Sequence, residues 1–529
     1  MKAASLLATL VLAPVLVAGC TSSKTPEGSK VKYADGGTFT TVVVTDPGSL
    51  DPLVTSDLVA NQFIGFTYDT LINLDSKGNV IPQLATSWQA GPDTVTFTLR
   101  KGVTCADGST LTASQVAANF NFIKNPKNQS TALGYNLPDQ NYTVQADDAA
   151  GTVQIKLAKP FGFLLTGAGT VPIVCAKGTK NRKMLAHGTD GTGPFTLVDS
   201  VASDHYTFAV RKGYGWGPNG ASTDTPGFPA KVVFKVVQSD TTADNLFLNG
   251  QLNEVDVVGQ DRERLLRHGY SLVKEPGSQI DAFFNERSTS PTSDPEVRKA
   301  LSMGLDLNQV AQVLTEKNGK APDDLEPNRP KPCTTPTVPG TLPAHDPTAA
   351  QAALTAAGWL PGADGVRAKD GTKLDIRLLY PGGTPSVDAG MELVASWWKS
   401  LGVHVTLTAK SPTAVQQVLF STGGWDATVL NLGVNNPSQL TAYLSGPIPP
   451  DGQNFAAIKN PEYDQLSAQA VGTPGKAGCD LWGKAEKALF TRVDVLPVSI
   501  SEVYSFGNKA RFASGLLGLE PTSLRLLAG

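Results

Sequence analysis

The sequence predicts an α/β fold. Two observations carry this: short segments whose apolar residues alternate with period two, and amphipathic stretches between them that open with helix-capping residues. Their order, strand then helix then strand, argues for sheets covered by helices. With 40% hydrophobic residues, the 529-residue chain has material for more than one core, and its length suggests about three packed units.

The chain opens with Lys2, an apolar run from Ala3 to Val17, and then Val17-Ala18-Gly19-Cys20. A charged start and a greasy core shorter than the ~20 residues of a membrane span mark an export signal. The pattern resembles a bacterial lipobox, in which residues 1–19 are removed and Cys20 receives a diacylglyceryl group; an ordinary secretory signal with a chance cysteine is the alternative. Two or more acyl chains, at about 0.8 kcal/mol per buried methylene, hold a protein on a bilayer. This implies a location on the outer face of the cytoplasmic membrane. Residues 20–37 are polar, with Pro26, Gly28 and Gly36-Gly37, and read as a flexible tether.

Alternating strands follow at Val42 and Val44; Val95, Phe97 and Leu99; Val153, Ile155 and Leu157; Tyr206, Phe208 and Val210; and Val232, Phe234 and Val236. Thr112 with Gln115 forms a capping-box pattern ahead of the stripe Val116, Phe120 and Ile123. In the second half Asp294-Pro295, Asp306 and Asp346-Pro347 are helix starts, the last helix stopping at Gly358. Strands Leu374-Ile376-Leu378 and Val403-Val405-Leu407 flank a helix carrying Met391, Val394, Trp397 and Trp398. From Asn318 to Pro347 eight prolines and no clear period predict a long irregular excursion over the surface.

Composition narrows the function. A net charge of −3 and a pI near 6.0 supply no basic field for nucleic acid. Four cysteines besides Cys20 (Cys105, Cys175, Cys333 and Cys479) form an even set in an exported chain, so two disulfides are expected, with three connectivities open. No two of them lie close enough for a zinc site, and no metal or other cofactor is expected. The five histidines make no HExxH pattern, and neither a GxSxG elbow nor a phosphate loop is present. Gly215-Trp216-Gly217-Pro218-Asn219-Gly220 matches GxGxxG, but Pro218-Asn219-Gly220 opens a turn rather than a helix, so it offers no seat for a pyrophosphate. The acidic pairs Asp147-Asp148 and Asp323-Asp324 read as solvated loop carboxylates. An enzyme is disfavoured, and a surface hydrolase remains the third reading of the chain.

Several blocks taken in order carry a resemblance. These are Ser49-Leu50-Asp51-Pro52; Tyr68-Asp69-Thr70-Leu71; Gly78 to Trp88; Phe97 to Val103; Gly191-Thr192-Gly193-Pro194-Phe195; Tyr214-Gly215-Trp216; Phe284-Asn285; Val297 to Leu301; and Ala357-Gly358-Trp359. Together they resemble the extracytoplasmic solute-binding proteins of peptide and nickel ABC importers. The resemblance implies a two-lobed periplasmic-binding-protein-like fold (class II, cluster C), α/β, with an extra subdomain in the first lobe. Lobe I would comprise 38–75, 190–280 and 500–529, with 76–189 as its inserted subdomain, and lobe II would be 281–499. The chain would cross near Gln279 to Asn285 and Val498 to Tyr504. Pairing Cys105 with Cys175 and Cys333 with Cys479 keeps each bridge inside one of these domains.

The resemblance further implies a monomeric receptor that captures an oligopeptide-like solute and hands it to permease subunits driven by cytoplasmic ATPases. Many peptide-binding relatives place an aspartate that pairs with the peptide ammonium three residues after a tryptophan. Those two positions, counted from Asp426, are Leu432 and Asn435 in this chain. Leaving an ammonium without its carboxylate could cost about 2–5 kcal/mol, so the same fold binding an oligosaccharide or a metal chelate is the second reading. Leu432, Gly433, Asn435 and Trp425 are the expected ligand-binding residues, joined by Tyr380, Asn285 and Tyr504 near the crossings. Trp425 could equally be core, and Asn435-Asn436-Pro437 could be only a turn.

Overall fold

The alternating segments form the sheets. The first joins Thr38–Val43 in parallel to Lys231–Val236, followed by His205–Val210 and Phe195–Val201 as antiparallel neighbours. Its inward face carries Phe208 and Phe234, which meet Phe63 and Phe66 of the helix Leu58–Thr67, with ring centroids 4.9 Å apart for Phe63–Phe234 and 5.2 Å for Phe66–Phe234. Asp57 starts that helix by accepting from the Ala60 amide at 2.7 Å. This computed structural model describes residues 32–257 and 261–528. The export signal and Cys20 lie outside the described residues.

A second, antiparallel sheet runs Ala85–Ala90, Thr94–Leu99, Thr152–Leu157, Tyr142–Asp147. The helix Ala113–Lys124 covers it with Val116, Phe120 and Ile123 buried, and its start carries the expected capping box between Thr112 and Gln115. Cys105–Cys175 closes this region.

The third sheet has the order Glu254–Val257, Val495–Gly507, Ser271–Phe284, Ala427–Leu430, Asp375–Pro381, His404–Lys410. Asp375–Pro381 runs parallel to both its neighbours, which requires covering helices. Those helices include Pro295–Met303, Leu307–Leu314, Pro347–Ala356 and Pro385–Ser400, the first three capped by Asp294, Asp306 and Asp346. Leu301, Leu354, Ile376, Met391 and Trp398 make one core beneath them.

Two strands are long: Ser271–Phe284 has 14 residues and Val495–Gly507 has 13. They pair along their whole length, from Ser271 opposite Gly507 to Phe283 opposite Val495. One end packs with Phe247, Leu252 and Phe506, the other with the helix-covered core. Register slips where Gly277 and Ser278 stand opposite Ser501, a bulge that bends the ribbon between the two cores.

The excursion after Asn318 departs from expectation. After the short strand Gly319–Lys320 it is irregular, yet Asp324, Leu325, Glu326, Lys331, Thr337 and Val338 are buried. Cys333–Cys479 fixes it to the helix Gly475–Arg492. A surface path was expected because the segment lacks a period; the disulfide and a buried ion pair hold it inside.

Candidate functional site

The bulge opens a cavity of about 140 Å³ between the paired strands and the excursion. Lys274, Gln279 and Glu502 line it from the strands, while Asp323, Asp324 and Arg329 line it from the excursion. Side chains along a strand alternate faces. The register sets Lys274 opposite Tyr504 and Pro276 opposite Glu502, so Lys274, Tyr504 and Glu502 share one face. The Tyr504 hydroxyl accepts from Lys274 Nζ at 3.2 Å and donates to Glu502 Oε2 at 3.0 Å. Tyr504 is thus tied to two lining residues, although its ring is buried beside Phe506.

Behind the excursion wall lies a low-dielectric acidic layer. Gln279 Nε2 donates to Asp281 Oδ1 and to the Asp324 carbonyl, both at 2.9 Å. Lys331, itself buried, pairs with Asp324 and lies 3.7 Å from Glu326. Burial pushes the Asp281 carboxyl up to about 8, and burial together with the neighbouring Glu486 carboxylate raises that of Glu326. Adjacent Asp323 and Asp324 therefore differ. Asp323 pairs with the exposed Lys320 at 2.9 Å, whereas Asp324 is an interior ion-pair partner rather than a solvated loop acid.

The segment after Ala427–Leu430 bonds to neighbours of the lining residues, without lining the cavity itself. Asn431 Nδ2 donates to Ser278 Oγ at 2.6 Å, and the Asn328 amide donates to the Val434 carbonyl at 3.1 Å. A side chain at Gly433 would begin 3.6 Å from Asn328 Nδ2. Leu432 is half-buried and Gly433 exposed. The Asn435 amide donates to Gln439 Oε1 at 3.0 Å, and Gln439 Nε2 reaches the Tyr135 carbonyl of the inserted region at 3.1 Å. Leu432, Gly433 and Asn435 thus share one stretch that runs from Asn328 of the excursion toward Tyr135, and none of the three lines the cavity.

The other expected positions lie elsewhere. Trp425 is fully buried against Phe455, so packing is its visible role. Asn285 is buried and donates to the Trp425 carbonyl at 2.8 Å, and its Oδ1 accepts from Arg287. Tyr380 belongs to the helix-covered core. Lys274, Gln279, Arg329 and Glu502 were missed, although the crossing segments read from the sequence contain Gln279 and Glu502.

Backbone groups around Gly162 also touch the segment that follows the helix Pro461–Val471. The Gly162 amide donates to the Val471 carbonyl at 2.6 Å, and a Cβ on Gly162 would sit 2.4 Å from the Thr473 carbonyl oxygen. Nearby, Phe163 stacks on Trp482 with centroids 6.5 Å apart. Among the described residues no three His, Cys, Asp or Glu side chains are grouped to hold a metal ion, and no helix is long and apolar enough to cross a membrane.

Residues 79–447 match the model of the bacterial extracellular solute-binding proteins, family 5. The chain belongs to that family. It is 25% identical over 484 residues to the periplasmic murein peptide-binding protein MppA of Escherichia coli K12, covering 86% of each chain. It is 26% identical over 393 residues to the nickel-binding periplasmic protein of the same organism, covering 70% of this chain and 71% of that one. Its fold matches the crystal structure of the ABC transporter substrate-binding protein CtaP from Listeria monocytogenes, with a TM-score of 0.78 at 19% identity, over 93% of this chain and all of that one. This solute-binding protein is therefore two-lobed and works by binding rather than by catalysis.

Proposed function

We propose that this solute-binding protein is a monomeric, lipid-anchored receptor on the outer face of the cytoplasmic membrane. It captures an oligopeptide-like solute and delivers it to the permease of an ABC importer powered by cytoplasmic ATPases. The observation that carries the solute class is the mixed charge of the cavity at the crossing strands, with Glu502 and Asp323 as acids and Lys274 and Arg329 as bases. A concave site with a few aimed polar groups suits capture without chemistry. The names of two relatives, one for a murein peptide and one for nickel, bracket the choice.

The lobe boundaries given above belong to this proposal, with the bulge at Gly277 and Ser278 as the hinge. Solute bridging both lobes favours the shut state by its differential affinity, and the shut surface is what the permease reads. Cys20 supplies the anchor, and labelling with a fatty-acid analogue in the producing cell is expected to be lost in Cys20→Ala. The central test is mass spectrometry of the solute that co-purifies, with thermal stabilisation by a panel of peptides, oligosaccharides and metal chelates. Stabilisation by a peptide without turnover is expected. Stabilisation by no member of the panel, or hydrolysis of one, overturns the receptor reading.

A further inference from the structure

The net charge of −3 is unevenly spread along the chain. Residues 76–189 hold eleven lysines and arginines against five aspartates and no glutamate, a basic stretch within an acidic protein. Of those cations only Arg182 is ion-paired among the described residues, with Asp51. That pair gathers a corner of the surface. The Arg182 guanidinium carbon lies 3.7 Å from the ring centroid of Phe122, on the helix Ala113–Lys124, and the chain leaves that helix through Lys127. Lys180 and Lys183 flank Arg182 in sequence, and all three of these lysines are exposed.

The loop 51–58 runs through the same corner. Asp51 at its start holds Arg182, the Leu53 carbonyl accepts from Ser130 Oγ at 2.6 Å, and the Thr55 carbonyl accepts from Thr131 Oγ1 at 3.2 Å. The loop ends at Leu58, which is 80% exposed, more than any other large apolar side chain among the described residues. Its two acids are engaged, Asp51 by Arg182 and Asp57 by the Ala60 amide. A leucine standing in water beside unpaired lysines matches a surface that is apolar just beneath a layer of anions. A soluble polyanion would use the lysines and leave Leu58 without a role. From this arrangement we infer that the corner docks on an anionic phospholipid membrane, with Lys127, Lys180 and Lys183 against headgroup phosphates and Leu58 dipped below them. Lysine stems are long enough to follow the leucine inward while their ammonium groups stay with the phosphates.

This inference rests on the proposed location at the membrane, and it is tested without the anchor, on the full mature protein carrying Cys20→Ser. Co-sedimentation is measured with vesicles of phosphatidylglycerol and phosphatidylcholine in equal parts and with vesicles of phosphatidylcholine alone. Binding to the first kind only, lost in high salt, is expected. Lys127→Gln with Lys180→Gln and Lys183→Gln is expected to weaken it at least about tenfold. Leu58→Ser is expected to weaken it by about tenfold while leaving its salt dependence as it was. All four positions are half-way or fully outside the cores, so an unchanged melting temperature checks that each variant folds. No binding to the anionic vesicles, equal binding to both kinds, or an unchanged affinity in either variant overturns the assignment. Retention on a polyphosphate matrix by the parent and Leu58→Ser alike, without vesicle binding, gives the corner to a soluble polyanion and also overturns it. If Cys20 takes the fatty-acid label in the cell but the unacylated protein ignores vesicles, the anchored receptor stands and this docking surface falls.

Discussion

The Tyr214 hydroxyl donates to Asp69 Oδ1 at 2.7 Å, deep in the first lobe. Trp216 Nε1 and Thr192 Oγ1 converge on Oδ2 at 3.0 and 2.8 Å, and Gln83 Nε2 adds a bond to Oδ1 at 2.8 Å. Four sequence blocks that carried the family resemblance thus meet at one buried carboxylate, beside a cavity of only about 40 Å³. Burial raises the Asp69 carboxyl while these four donors oppose the rise. Asp69→Ala strands the Tyr214, Thr192 and Gln83 donors, while Trp216 keeps the Thr192 carbonyl at 3.0 Å, at about 1–3 kcal/mol for each unsatisfied group and less than their sum. Urea unfolding is expected to lose at least about 3 kcal/mol, with solute affinity of the folded fraction unaltered.

Asp281 gives the protein an alkaline weakness. Its ordinary value of 3.8 is raised to about 8 in the folded state by burial, with Glu326 and Asp324 nearby adding to the rise. The folded form holds this proton where the unfolded chain has lost it, so the stabilising contribution is full below about pH 4 and disappears as pH rises through about 8. Asp281→Asn is expected to match wild type near pH 4 and to exceed it by about 1–3 kcal/mol at pH 9. Melting temperatures between pH 4 and 9 check this, and parallel profiles for the two proteins would refute it.

Gly162→Ala is aimed at closure. The added methyl meets the Thr473 carbonyl at 2.4 Å, backbone that cannot swing aside, whereas the subdomain interior is untouched. Crowding of this kind costs about 1–3 kcal/mol, and if the lobes close as proposed it weighs on the shut state more than on the open one. Weaker solute binding with an unchanged ligand-free melting temperature is expected. Scattering should also report a larger radius of gyration at saturating solute than wild type gives.

The two disulfides should separate in effect. Both bridge long loops, of 70 and 146 residues, and removing a native bridge costs about 2–5 kcal/mol. Cys333→Ser with Cys479→Ser also frees the excursion that carries Asp323, Asp324 and Arg329, so affinity is expected to fall with stability. Cys105→Ser with Cys175→Ser is expected to lower stability alone. Titration and calorimetry on both double variants test the difference.

Much of the fold was legible because local rules dominated it. Period two at Val95, Phe97 and Leu99 and the Thr112–Gln115 capping box need only neighbours in sequence, and both formed as read. The turn at Pro218-Asn219-Gly220 was equally local. The site was less so. Arg329 sits in a stretch without periodicity, and Glu502 owes its place to a register slip at which Ser278 meets Ser501, 223 residues away, a relation no spacing encodes. Trp425 and Asn285 were singled out by their proximity to the right segments, yet burial gave them to the interior.

If the ribbon hinges at Gly277 and Ser278 as proposed, whatever rests against that pivot travels least when the jaws swing. Lys274 and Glu502, on the strands beside it, would then move little as the mouth shuts, so the gain in affinity on closing comes from contacts farther out. Selection can happen first, at the fulcrum, and the distant rims need only ratify a choice already made.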